Sequence, residues 1–244
     1  MERGVSLERA LEIAAQLPMQ RNPEALPLDQ ASGRILFDDL SSQVDDPRFD
    51  NSAMDGWAVR EADCKESGTV LRVVGTSQAG SAGVPPVGKG EACSIMTGAP
   101  IPEGADAIVM VEDSTTHGGS VTINGPARPG FIRKRGENLT QGERPLKSGN
   151  ILTPSAISLA ATMGHDRVSV VRQPSIAVIG VGDELTPPGE PLSENSIYES
   201  NTFGISSLVK KMGGAPRRSE LIRDSIDDLR ESLDEAAESC DAII

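Results

Sequence analysis

Large aromatic side chains are nearly absent from this sequence: one Trp, one Tyr and four Phe make up 2% of it. Any core must therefore be assembled from Val, Ile, Leu, Ala and Met, which favours small modules over one thick core. Positive charge is scarce too. Lys and Arg number 23 against 36 Asp and Glu, a net charge of -13 with a pI near 4.6, the wrong sign for binding nucleic acid by counterion release. An anionic small substrate is still allowed, because helix N-termini and a local basic cluster bind phosphate even in an acidic protein. Cysteine is sparse: Cys64, Cys93 and Cys240 are far apart and show no C-x-x-C spacing. That argues against a disulfide framework and a structural zinc site, and points to a reducing compartment. His117 and His165 are the only histidines; neither has a triad or metal partner in sequence, and both read as structural. No window approaches about 18 apolar residues, and Met1-Glu2-Arg3-Gly4 leads into an amphipathic stretch. A soluble, cytoplasmic protein with neither membrane nor nucleic-acid partner is expected.

With 244 residues the chain has room for a real core, in one large domain or a few small ones. Leu7, Ala10, Leu11, Ala14 and Leu17 recur at helical spacing after Ser6, a ready N-cap, and Pro18 ends the run, so residues 6–17 are expected to form a surface helix. A linker with Pro23 and Pro27 follows, then a short apolar segment from Arg34 to Leu40. From residue 43 to 141, short β-type runs (Val70–Val74, Ala92–Met96, Ala107–Val111, Ser120–Ile123) are divided by Gly and Pro turns, the texture of a small β-rich module. Thr153 and Pro154 supply an N-cap and a Pro at N1 for a helix through Ile157, Leu159, Ala160 and Met163 that Gly164 can close. Val168–Val171 reads as a strand cut by Pro174. The rest is α/β in pattern: strand Ile176–Ile179, a glycine-bearing loop, helix Thr202–Met212, strand Glu220–Ile222, helix Ile226–Glu238, and a final Asp241–Ile244 that resembles the start of a buried strand. Such alternation implies a parallel sheet with ligands at the carboxyl ends of its strands.

Five stretches stand out. Phe49–Ala58 packs Asn51, Ser52 and Asp55 before Gly56, which suits a turn bonded to its own backbone and equally a carboxylate presented beside a glycine that lets a ligand approach. Ile95–Ala107 runs a strand into Thr97-Gly98 and two prolines: a Pro-rich loop, or a hydroxyl held rigidly at a strand end. Ile132–Asn138 is the one dense basic cluster, either solvated surface charge or a seat for phosphate or oxyanion. Gly180–Leu185 falls short of a full dinucleotide fingerprint, but Asp183 and Glu184 after a buried strand suit either a cap or a hard cation such as magnesium. Ile222–Ser225 puts Asp224 at the next strand end, where Asp224 or Ser225 would also cap a helix.

In order, F-D-N-S-A-M-D-G-W-A, M-T-G-A-P-I-P-E-G-A-D-A-I-V-M-V-E, I-R-K-R-G-E-N, G-D-E-L and I-Y-E-S-N resemble the molybdopterin molybdenumtransferases, the MoeA type, whose relatives include the C-terminal domain of gephyrin and the matching domain of the plant cofactor-synthesis protein. Each motif is modest alone; five in order are specific, and they cover essentially the whole chain. The resemblance implies insertion of molybdenum from molybdate into adenylylated molybdopterin with release of AMP, in molybdenum cofactor biosynthesis, with Mg2+ as the cation. It implies an elongated homodimer working beside an upstream molybdopterin adenylyltransferase. It also implies an α/β plus β multidomain fold: a small linker module (24–42 and 142–173), a β-rich module (43–141), and a three-layer α/β molybdopterin-binding module (1–23 and 174–244) that is incomplete at its C-terminal end. Carried over residue by residue, Asp55, Thr97, Glu184 and Asp224 fall on positions implicated in activity, with Glu184 and Asp224 as cation ligands. Asn51, Ser52, Arg133, Arg135, Glu137, Gly182 and Asp183 fall on substrate-binding stretches. In the family's dimers Asp55 and Thr97 would serve the partner subunit's pocket.

This chain departs from the family pattern at several places. Gly180-Val181 stands where relatives carry Ser-Thr, Asn138 where many have Asp, and Glu199-Ser200 where many have Asp with Ser or Thr. The family's Gly-Gly-x-Ser-x-Gly loop would lie past residue 244. A catalytically silent molybdopterin-binding or scaffold fragment is therefore the alternative expectation, and binding without turnover separates the two. A nucleotide-using α/β enzyme unrelated to molybdenum leaves the F-D-N-S-A-M-D-G stretch unexplained.

Overall fold

The computed structural model describes residues 4–16, 21–80, 83–219 and 221–244. Its strands, in chain order, are β1 (Pro23–Pro27), β2 (Asn51–Ser52), β3 (Gly56–Val59), β4 (Thr69–Ser77), β5 (Glu91–Ile95), β6 (Ala107–Met110), β7 (Ser114–His117), β8 (Ser120–Ile123), β9 (Ile132–Arg133), β10 (Arg167–Val171), β11 (Ser175–Val178), β12 (Leu185–Thr186), β13 (Ile197–Tyr198), β14 (Ala215–Arg218) and β15 (Ala242–Ile243). The helices among the described residues are α1 (Leu7–Ala15), α2 (Pro154–Thr162), α3 (Asn201–Lys211) and α4 (Ile226–Ser239). The chain forms two compact units, one of Met1–Leu26, Arg34–Phe37 and Ser169–Ile244, the other of Pro27–Gly33 and Asp38–Val168.

The second unit is built on a curled six-stranded sheet in the order β6-β3-β5-β4-β8-β7, antiparallel except for the parallel pair β4–β5. Successive side chains of a strand point to opposite faces, and here both faces are covered. Trp57, Val59, Leu71, Ala107, Val109, Val121 and Ile123 form one buried cluster, while Ala58, Cys93, Ile95, Ile108 and Ile132 form another. That is why Ala107–Met110 reads as an unbroken apolar run. The lone Trp57 satisfies its indole N–H on Ser114 Oγ at 2.8 Å. Gly56 is dictated by its neighbour strand: a Cβ there would sit 1.9 Å from the Val109 carbonyl oxygen. The sequence reading of Gly56 as an opening for a ligand is corrected accordingly. In the same unit α2 starts as expected, with Thr153 Oγ1 accepting from the Ala156 N–H, Pro154 in the first turn and Ala156 and Ala160 buried. His165 is clamped, Nε2 at 2.8 Å from the Ser41 carbonyl and Nδ1 at 3.1 Å from Gln43 Nε2.

The first unit carries a three-stranded parallel sheet in the order β14-β11-β15, with α3 lying against β14 and β11 and α4 against β15. α1 forms after its Ser6 cap, and none of its residues is buried; the expected end of that helix at Leu17 and Pro18 lies outside the described residues. Three expectations are corrected. Pro23–Pro27 is not linker but strand β1, and its two prolines stand at the ends of the strand, where a missing N–H is tolerated. The strand expected at Glu220–Ile222 lies earlier, at Ala215–Arg218; Glu220 is outside the described residues, and Ile222 makes an isolated parallel bridge to Val181. Pro216 hid β14 from a pattern reading, yet an edge strand tolerates it because one side of its backbone needs no partner. Ala242–Ile243 does pair with β11, but on the sheet's edge, so Ile243 is 37% exposed rather than buried.

Candidate functional site

Each unit holds one group of the residues singled out from the sequence. In the second unit, β2 runs antiparallel to β9 and brings Asn51 opposite Arg133. Ser52 is fully buried; its hydroxyl donates to the Met54 carbonyl (2.6 Å) and faces the Met54 N–H (3.3 Å), fixing the turn that leads to Asp55. Asp55 is exposed, and its Oδ1 accepts twice from Thr97, from the backbone N–H at 2.6 Å and the hydroxyl at 2.9 Å. The Thr97 N–H first and its hydroxyl second hold the Asp55 carboxyl below the usual carboxylate range. The two residues lie 42 positions apart, and the structure makes them one polar unit. Asn51 is 8% exposed; its Nδ2 donates to the Phe49 carbonyl at 3.3 Å, and its buried Oδ1 has no hydrogen-bond partner among the described residues.

The basic stretch is largely neutralised from within. Lys134 Nζ pairs with Asp50 Oδ2 at 2.8 Å, and the Arg135 N–H donates to Asp50 Oδ1 at 2.8 Å. Arg135 Nε pairs with Asp45 Oδ2 at 2.5 Å, and Glu137 Oε2 accepts the Lys134 N–H at 2.6 Å. Lys134, then the Arg135 N–H, pulls the Asp50 carboxyl below its ordinary range; the Gln141 N–H, then Arg135, does the same for Asp45. Of the three basic residues, Arg133 alone has no carboxylate partner among the described residues.

In the first unit the loop after β11 carries the acidic group. The Gly180 carbonyl accepts the Ile222 N–H (2.9 Å) and the Gly182 N–H donates to the Ile222 carbonyl (3.0 Å), so the loops Gly180–Glu184 and Ile222–Asp224 are stitched together. Asp183 Oδ1 then accepts the Asp224 N–H at 3.3 Å. The Glu184 carboxylate lies over Gly182: a Cβ there would fall 2.6 Å from its Oε2, the far end of an exposed side chain that can give way. Asp224 is not the helix cap; Ser225 is, with its Oγ accepting the Asp228 N–H. Asp183, Glu184 and Asp224 are all exposed, with no basic partner among the described residues. No cluster of three or more His, Cys, Asp or Glu able to enclose a metal occurs among the described residues.

Sequence reasoning named Glu199 only within the I-Y-E-S-N stretch and missed its pairing with Thr202; the two lie buried beside Gly180 and bond to each other. It also missed Asp241, tied to Arg172 and to the Ser175 N–H. The three-residue step from Glu199 to Thr202 at a helix start was the signal for that pairing; nothing local marks Asp241.

Residues 5–164 match the MoeA N-terminal region (domain I and II), and the chain belongs to the MoeA family. It is 40% identical over 199 residues to the molybdopterin molybdenumtransferase of Haemophilus influenzae, covering 81% of this chain and 49% of that protein. It is 37% identical over 246 residues to molybdopterin molybdenumtransferase 2 of Mycobacterium tuberculosis, covering 98% of this chain and 60% of that one. A crystal structure of the molybdopterin biosynthesis MoeA protein of Pyrococcus horikoshii is similar at a TM-score of 0.86 and 31% identity, over 97% of this chain and 64% of that one. The chain thus spans about half to three-fifths of the curated relatives it matches.

Proposed function

We propose that this chain serves molybdenum cofactor biosynthesis as a transferase that inserts molybdenum from molybdate into adenylylated molybdopterin, releasing AMP. The observation that carries the reading is the stitched pair of loops beyond the carboxyl end of β11, where open α/β sheets take their ligands: it sets Asp183 against the Asp224 backbone, with Glu184 next in the chain. The donor set there is oxygen only, exposed and free of basic partners among the described residues, which fits magnesium. Glu184 and Asp224 would hold it, with Asp183 orienting the Asp224 backbone. When bound, such a cation supplies charge neutralisation of the pyrophosphate link and acidification of a water.

The protein's own groups do the rest. Asp55, kept ionised by Thr97, orients water or substrate hydroxyls through its second oxygen rather than storing a proton. Arg133, the unpaired cation of the basic stretch, faces phosphate or molybdate oxygens, while Lys134 and Arg135 hold the loop. The proposal includes the division into linker (24–42, 142–173), β-rich (43–141) and molybdopterin-binding (1–23, 174–244) modules, an elongated homodimer in which Asp55 and Thr97 serve the partner's pocket, supply of substrate by an adenylyltransferase, and a cytoplasmic location. No helix among the described residues is long and apolar enough to cross a membrane.

The test is AMP release from adenylylated molybdopterin with molybdate and magnesium, beside an Asp55→Ala control. Release that the control abolishes supports the transferase; tight ligand binding with no AMP makes the chain a binding module.

A further inference from the structure

Against the chain's net charge of -13, one surface of the first unit is basic. Lys210 and Lys211 end α3, and Arg217 and Arg218 follow in β14: four exposed cations within nine residues. None of them pairs with a carboxylate among the described residues. Lysines in a last helical turn complement the helix dipole, but the two arginines have no such role. Arg218 lies over the Phe203 ring, 3.8 Å from its centroid. Beside these cations Phe203, Leu208 and Met212 are 44%, 56% and 78% exposed. Strand β14 is an edge of its sheet, and its Ala215 and Ser219 N–H groups bond inward to the Pro174 and Val178 carbonyls. The alternate positions, Pro216 and Arg218, face the open edge, where proline has no N–H to offer. A partner therefore meets side chains here and does not add a strand.

A glycine on the same helix points to a close neighbour. Gly204 lies inside α3, where glycine is among the least favourable residues. Its φ is not positive, and a Cβ built on it would meet no atom within 4 Å. Neither backbone shape nor packing within the chain requires a glycine there. A helix without a side chain at that position lets another backbone approach. Gly204, Leu208 and Lys211 share one face at helical spacing, so the bare spot adjoins both an apolar and a basic side chain.

The complementary surface is on α4 of the same chain. That helix carries six carboxylates against Arg230 alone. Asp227, Glu231, Asp234 and Glu238 recur at helical spacing as one exposed stripe, with no ion pair among the described residues. Next to the stripe, Ile226 and Leu233 are 79% and 39% exposed. Within one chain the two helices lie on opposite faces of the sheet: Ile176 points to the α3 side beside Val209, and Ala177 to the α4 side with Ser232 and Ala236. We propose that the α3 face of one copy, with Gly204, Leu208, Lys210 and Lys211 at its centre, docks the acidic face of α4 of a second copy. Opposite charges set the register, and Leu208 and Met212 meet Ile226 and Leu233. The contact joins unlike surfaces, so it adds copies independently of the shared-pocket dimer and uses neither Asp55 nor Thr97.

The experiment follows mass by sedimentation equilibrium at rising concentration, with circular dichroism melts as the control for folding. It compares wild type, Gly204→Ala, the pair Lys210→Glu with Lys211→Glu, the pair Asp234→Lys with Glu238→Lys, and an equimolar mixture of the two reversed chains. Wild-type mass should grow with concentration, and each reversal should weaken that growth about tenfold or more. The mixture should return to within about twofold of wild type, because each reversed face matches the other. Gly204→Ala should melt at or above the wild-type temperature yet associate about tenfold more weakly, since its methyl fills the approach. A wild-type mass that stays constant, reversals that leave association unchanged, or a mixture that does not recover overturns the proposal. Association unchanged by both reversals belongs to the shared-pocket dimer. Poly-glutamate bound by a wild type of constant mass, and lost with Lys210→Glu and Lys211→Glu, assigns the patch to a separate acidic partner and equally overturns docking between copies.

Discussion

Asp55 accepts two hydrogen bonds on one oxygen, and both come from a residue 42 positions away. Its depressed pKa means the carboxylate is retained as pH falls through the ordinary aspartate range. Thr97→Val removes the hydroxyl but leaves the larger cause, the backbone N–H. The Asp55 pKa should then rise part of the way toward its ordinary value, which a carboxyl 13C titration would show. Arg133 and Lys134 make a second contrast. Arg133→Ala should weaken binding of the anionic substrate about tenfold or more, the worth of a charge-assisted hydrogen bond, while Lys134→Ala should leave that affinity near wild type and only loosen the loop held by Asp50. Equal losses for both variants in an equilibrium binding titration would remove Arg133 from its assigned role. The identities of these residues were legible in order along the chain. Their pairing was not: a basic run looks alike whether or not Asp45 and Asp50 fold back to neutralise it.

At the scale of elements, the β-rich sheet was legible because β4, β5, β6 and β8 are apolar runs between glycine and proline turns. Strand β14 was not, since Ala215-Pro216-Arg217-Arg218 carries no strand signal and is a strand only because β11 lies beside it. Gly56 ties the motif at its position to the ladder β3–β6. Gly56→Ala should break that ladder and destabilise by more than about 3 kcal/mol, the upper range for an overpacked site, and Ile108→Ala should cost about 2–5 kcal/mol in urea unfolding. At the start of β11, Arg172, then the Ser175 N–H, lowers the pKa of Asp241. A carboxylate whose folded pKa lies below its unfolded one stabilises above the unfolded pKa and loses that effect as pH falls through the folded value. Arg172→Ala should therefore be less stable than wild type at neutral pH, with the difference shrinking below the ordinary aspartate range; screening at this half-exposed pair keeps the effect modest. A difference that persists unchanged in denaturant midpoints at low pH would point to packing instead.

At the scale of the whole molecule, the proposed homodimer makes a sharp demand. If Asp55 serves the partner's pocket, Asp55→Ala and Glu184→Gln, each inactive alone, should recover about a quarter of wild-type AMP release when mixed and allowed to reassort, the statistical share of intact shared sites in a two-fold dimer. No recovery in mixtures shown to exchange subunits would place both groups in one subunit's site. The sequence by itself determined the family, the β-rich and α/β textures, the helix starts at Ser6 and Thr153, and which residues carry charge, because motif order, periodicity and capping are properties of neighbours in the chain; between Asp224 and Ser225 as the last helix's cap it left both open. Only the tertiary structure decided that Thr97 holds Asp55, that Asp45 and Asp50 spend two of three basic residues, that Asp183, Glu184 and Asp224 share a stitched pair of loops, and that a buried Glu199 lies beneath them. Those are contacts between residues distant in sequence, fixed by strand pairing and packing, which no local pattern encodes.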